Sequence, residues 1–114
     1  TMSAIGREAG QELDTRRFRA NIVIASDSSQ PFLEDSWVGG RLVFGDNELA
    51  PVLTVTMRDL RCMMINIDPD TGKQNAGVMK AAVLLNENFA GVYGTVARPG
   101  QISVGQSVSL LTEK

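Results

Sequence analysis

Apolar residues recur every three to five positions near the start of the chain, at Ala4, Ile5, Ala9 and Leu13, with polar residues between them. That spacing predicts a helix over residues 2–13, short and interrupted by Gly6 and Gly10, so marginal in isolation. The pattern then changes. Arg16-Arg17-Phe18-Arg19-Ala20-Asn21 leads into Ile22-Val23-Ile24-Ala25, and this run rich in β-branched residues reads as a strand buried in its second half. Residues 26–40 form a long polar connection around Pro31, with Trp37 near its end, and connections of that length in small domains are often functional.

Arg41-Leu42-Val43-Phe44 predicts a short strand closed by the turn Gly45-Asp46-Asn47. Residues 50–57 alternate in part and predict a second strand. Residues 62–67 predict a third, ended by Asp68-Pro69-Asp70-Thr71-Gly72, where proline fixes φ and the Asp side chains can accept from nearby backbone amides. Asn75 is placed to cap a helix over residues 76–88, with Val78, Ala81, Ala82 and Leu85 at helical spacing. Strands over 91–96 and 107–111 flank the turn at Pro99-Gly100. Short strands between Gly/Pro turns, with inserted helices, predict a mainly β fold: a small barrel or rolled sheet. No internal repeat or linker interrupts it, so residues 1–114 read as one domain.

Composition narrows the chemistry. A hydrophobic content of 43% and a charged content of 21% are those of a soluble globular chain, and 114 residues suffice for a core. The net charge of −2 argues against a nucleic-acid partner. No apolar run reaches the roughly 20 residues of a membrane span, and the first ten residues lack the features of a signal peptide, so the expected location is cytoplasmic. With one cysteine and no histidine there is no intrachain disulfide, no Ser-His-Asp or Cys-His catalytic arrangement, and no common zinc or copper site. Chemistry must fall to Cys62, the carboxylates, Tyr93, the lysines or a bound group. The basic residues lean to arginine, whose planar fork suits phosphate, although codon bias in the source genome produces the same excess.

Taken alone, Cys62 reads as a small buried hydrophobe. Arg58 and Arg61 precede it, and cationic neighbours favour a thiolate. Neighbouring strand residues point to opposite faces, so Arg61 need not touch the sulfur. Asp68-x-Asp70-x-Gly72 fails as a calcium loop, because Lys73 and Met79 stand where glycine and a bidentate glutamate are needed. It reads as a structural turn. Arg16-Arg17-Phe18-Arg19 is either a solvated strand start anchored by Phe18 or an anion-recognition cluster, and the pattern leaves both open.

Three blocks in order then carry a resemblance. The first is Arg16-Arg17-Phe18-Arg19-Ala20-Asn21-Ile22-Val23-Ile24, followed by Glu34-Asp35-Ser36-Trp37. The second is Arg61-Cys62-Met63-Met64-Ile65-Asn66-Ile67-Asp68-Pro69-Asp70-Thr71-Gly72. The third runs from Gly91-Val92-Tyr93 to Pro99-Gly100-Gln101-Ile102-Ser103-Val104-Gly105. Together they resemble the MOSC family, the C-terminal domain of molybdenum-cofactor sulfurases and their relatives. The resemblance implies a MOSC-type β-barrel-like fold and a molybdenum–pterin cofactor. It implies that Cys62 is the metal ligand or carries transferred sulfur, and that Arg19, Asn21, Arg61 and Tyr93 approach the cofactor. Two positions depart from the common pattern: Ile65-Asn66 replaces a pair of threonines, and Asp59 stands where many relatives have a second cysteine. The Met-Ile-Asn form resembles a bacterial subgroup.

Three functions follow from the resemblance. One is a molybdenum-dependent redox module reducing N-hydroxylated compounds, working with an electron-transfer partner. Another is a sulfur carrier with a Cys62 persulfide, serving a partner in cofactor sulfuration. The last is a cofactor-free truncated paralogue used for assembly. The resemblance also implies that strands on the N-terminal side are missing from these residues, so that a homodimer or an N-terminal companion domain completes the barrel.

Overall fold

The structure, a computed structural model, describes residues 1–26 and 30–112. The chain divides into two compact units, residues 1–33 with 59–91, and residues 34–58 with 92–114.

In the first unit, helix α1 (Met2–Ala9) stops at Gly10, which adopts φ 76° while the chain bonds back to the carbonyls of Arg7 and Gly6. It is shorter than the spacing predicts because a left-handed glycine is a ready C-terminal stop. Gly6 lets the chain return closely, since a Cβ there would lie 2.7 Å from the Gln11 carbonyl oxygen. Helix α2 (Gly77–Asn86) begins after Asn75, whose Oδ1 accepts from the Gly77 N–H at 2.9 Å, as its position predicts. Glu87 and Asn88, both left-handed, end it. Val78, Ala81 and Ala82 from α2 pack with Ile5, Phe18, Ile65 and Ala90 to form the core of this unit. Leu85 stays partly exposed, so the buried stripe is narrower than predicted.

Two predicted strands in this unit are 3-10 turns or irregular chain instead. Residues Thr15–Phe18 form a 3-10 helix because Asp14 accepts from the Arg16 N–H and so closes a turn, which Arg19 ends at φ 52°. Residues 22–25 follow in irregular conformation with Val23 exposed, for a β-branched run becomes a strand only beside a partner, and none pairs with it among the described residues. Residues 27–29 of the predicted polar connection lie outside the described residues. The expected strand over 62–67 is likewise a 3-10 helix, Met63–Asn66. Here Asn66 is buried, its Oδ1 accepting from the Met79 N–H at 2.8 Å and its carbonyl from the Asn75 N–H at 2.8 Å. Those bonds turn the chain while Ile65 enters the core. The turn that follows is as expected: Asp68 Oδ1 accepts from the amides of Asp70 and Thr71, and Gly72 takes φ 72°.

The strands are β1 (Arg41–Phe44), β2 (Val52–Leu60), β3 (Phe89–Arg98) and β4 (Val108–Leu111), in sheet order β3-β2-β1-β4. β1 is antiparallel to both its neighbours, with Leu42 opposite Leu53 on β2 and Leu110 on β4. Leu42 and Phe44 point alike, as strand periodicity requires, and with Ala50 and Val55 they are the buried apolar residues of the second unit. The fold is mainly β with inserted helices, as predicted, and among the described residues the antiparallel sheet is open rather than closed into a barrel. No helix among the described residues is long and apolar enough to cross a membrane.

Ile5 is fully buried. Ile5→Ala removes that contact and leaves a cavity, so it is expected to destabilise the chain by about 2–5 kcal/mol. Urea denaturation should show a lower midpoint at unchanged slope.

Candidate functional site

Charged and polar ties hold the segments that carry the predicted site residues in the first unit. Arg17, only 8% exposed, donates to the Ile65 carbonyl at 3.3 Å and lies 3.7 Å from Asp68 Oδ2. Its neighbour Arg16 faces outward and bridges Asp14 at 2.7 Å and Asp70 at 2.9 Å. Hydrogen bonds to Asp14 and then Asp70 raise the Arg16 guanidinium above its ordinary range. The Arg16 side chain and then its backbone amide hold Asp14 below the usual carboxylate value. Asp68 is lowered too, chiefly by the backbone amides of Asp70 and Thr71.

Arg61 makes the densest set of ties. Nε donates to the Ala90 carbonyl at 2.7 Å, one terminal nitrogen to the Phe18 carbonyl at 2.6 Å, and the other meets Asp59 Oδ2 at 3.1 Å. The guanidinium carbon also stands 5.3 Å from the centroid of the Phe18 ring, a cation–π contact. The main chain of Arg61 is held as well: its N–H donates to the Asn88 carbonyl at 2.9 Å, and its carbonyl accepts from Asn88 Nδ2 at 2.7 Å.

Around these ties the predicted residues fall into two groups. Cys62 is exposed, on extended backbone (φ −116°, ψ −178°) at the start of the 3-10 helix Met63–Asn66. The reading of it as a buried small hydrophobe is therefore set aside. Arg19 is exposed and left-handed, and its guanidinium has no hydrogen bond or ion pair among the described residues. Asn21 is exposed two residues on. The hydrogen bond from Arg61 to the Phe18 carbonyl joins the residues immediately before Cys62 and Arg19. Tyr93, half-exposed on β3, belongs to the second unit, where its carbonyl accepts from the Thr56 hydroxyl at 3.3 Å.

The sequence left the structural roles of several neighbouring residues unassigned. Asp59 supplies the counter-charge for Arg61, which explains an acidic residue at a position where the family resemblance points to cysteine. Asn66, in place of a threonine, links the cysteine segment to the start of α2. Asn88 clamps Arg61 from a left-handed position just past the observed end of α2, where asparagine readily adopts that conformation. The burial of Arg17 gave no signal, since which arginine in a run of three is buried depends on where Phe18 anchors.

An open antiparallel sheet with inserted helices, carrying an exposed cysteine ahead of an Asp-Pro-Asp turn, defines a class that comparison with known proteins names. A family model described as the MOSC domain matches residues 1–109, and the chain belongs to that family. Mitochondrial amidoxime-reducing component 1 of Mus musculus is 34% identical over 107 residues, covering 82% of this chain and 29% of that protein. The protein of the same name from Homo sapiens is 31% identical over 114 residues, covering 89% of this chain and 32% of that protein. The chain thus spans about a third of the length of these relatives.

The acidic ties set a pH dependence. Asp14 and Asp68 titrate lower in the folded chain than their ordinary value of 3.8, so their contribution is present above that value and is lost as pH falls through the folded values below it. The urea midpoint should fall as pH is lowered below about 4, modestly because these groups are solvent-screened. Asp14→Asn should flatten that dependence.

Proposed function

We propose that this chain forms a molybdenum–pterin site within a redox module that reduces N-hydroxylated compounds, with Cys62 as the metal ligand. The observation that carries the reading is an exposed thiol on extended backbone, one residue beyond the heavily tied Arg61, with the Arg19 cation in the same unit and unpartnered among the described residues. The donor set suits the group. A cysteine thiolate is a soft ligand for the metal, Arg19 a forked donor for phosphate, and the Asn21 amide a partner for polar pterin edges. The relatives are named for amidoxime reduction, and an amidoxime is an N-hydroxylated compound.

When bound, the cofactor supplies the electron chemistry. The chain's part is to bind and orient it. Cys62 Sγ would hold the metal as a thiolate, which would make binding pH-dependent. Arg19 answers the anionic end of the group, where a charge-assisted hydrogen bond contributes about 1.5–3 kcal/mol. Exposure of Cys62 also suits a second reading, a sulfur carrier. In it a cysteine-desulfurase persulfide passes its outer sulfur to the Cys62 thiolate, and the desulfurase cysteine leaves as a thiolate. An electron-transfer partner, or the protein whose cofactor is sulfurated, belongs to these readings respectively.

Protein from a cofactor-competent host should contain about one molybdenum per chain, and Cys62→Ser should remove it. Metal-free wild-type protein from such a host overturns the redox reading. A sulfur adduct by mass spectrometry after incubation with a cysteine desulfurase, absent from Cys62→Ser, would then favour the carrier. Neither metal nor adduct would leave the assembly role.

A further inference from the structure

We infer that Arg61 is a positioning residue, which fixes the chain carrying Cys62 against the chain carrying Arg19 and does not itself touch a bound group. The inference rests on the proposed cofactor site and reassigns one residue within it. The Arg61 side chain is 12% exposed, and each of its three nitrogens is already engaged, with the carbonyls of Ala90 and Phe18 and with Asp59. Turning outward to a ligand would strip two carbonyls of donors in residues no more than 2% exposed, and would leave Asp59, itself 14% exposed, without its counter-charge. Losing the partner of a buried polar or charged group is costly enough to hold the side chain inward.

Gly91 is built around the same guanidinium. It adopts φ 84°, and a Cβ there would lie 3.0 Å from an Arg61 terminal nitrogen. Arg19 is the contrasting case: an arginine adjacent to the same Phe18, exposed, with a guanidinium unpartnered among the described residues. The division of labour is therefore one arginine turned to the chain and one open to an anion. Because Arg61 grips the Phe18 carbonyl, and Asn88 grips Arg61 through both its backbone groups, the backbones of Arg19 and Cys62 are set by one joint.

The test begins on the metal-free chain. Arg61→Lys keeps the charge but loses the fork. It should displace the amide NMR signals of Cys62 and Arg19 together, whereas Ile5→Val, a destabilising control elsewhere in the core, should leave both in place. Gly91→Ala, which retains Arg61 and crowds it, should reproduce the paired displacement, and serves where Arg61→Lys does not fold. Signals unmoved in the folded variants overturn the inference.

In cofactor-loaded protein, Arg61→Lys alone should weaken retention by about tenfold, but by much less once Arg19→Gln is present, because coupled residues are not additive. Independent, multiplying losses would mean that Arg61 contacts the group directly, and would overturn the proposal. If wild-type protein from a competent host holds no molybdenum, the redox reading fails while the metal-free measurement still decides the role of Arg61.

Discussion

A guanidinium holds its donors in a rigid plane, and Arg61 aims that plane at the Phe18 and Ala90 carbonyls and the Asp59 carboxylate. Those carbonyls belong to segments far apart in sequence, at the end of the Thr15–Phe18 turn and at the start of β3. Neither carbonyl has a regular helix ladder to satisfy it, so an arginine between them both satisfies acceptors and sets spacing. Phe18 contributes twice, with its carbonyl as acceptor and its ring beneath the cation. The core of the first unit depends on this arrangement, because Phe18 and Ala90 are members of it.

The other ties repeat the same physics at lower cost and greater exposure. Arg17 reaches a main-chain carbonyl and a carboxylate across the unit, while Arg16 holds two aspartates in solvent. Screening makes the outer pair a weak contributor to stability, whereas the inner arginines would each leave acceptors unmet if removed. The basic run, whose pattern leaves open a solvated strand start or an anion-recognition cluster, is therefore divided by burial. Two of its arginines face the protein's own acceptors, and Arg19 alone among the three is left open.

The departures from the family pattern become intelligible in that light. Asp59 neutralises Arg61, and Asn66 uses its amide to receive the Met79 N–H while its carbonyl receives that of Asn75. Both substitutions are structural adjustments beside the cysteine rather than changes to the cysteine itself. Cys62 keeps its exposed place at the start of a short turn, where its sulfur is free of the opposite-face constraint that a strand would impose.

The sequence by itself determined the elements whose signals are local. The α2 stripe with Asn75 before it, the Asp68–Gly72 turn and the β1 strand all follow from propensity, capping and turn chemistry within a few residues. The family was legible in three spaced blocks, and the family match over residues 1–109 agrees with it. Tertiary structure decided the rest. The β-rich runs at 22–25 and 62–67 needed a partner strand, and local bonds from Asp14 and Asn66 turned their surroundings instead. It also decided which arginines are buried, because a charge enters the interior only where carbonyls and a carboxylate from distant segments meet it. No reading of neighbouring residues contains that information, so the exposure of Cys62 and the inward turn of Arg61 appear only when those segments are brought together.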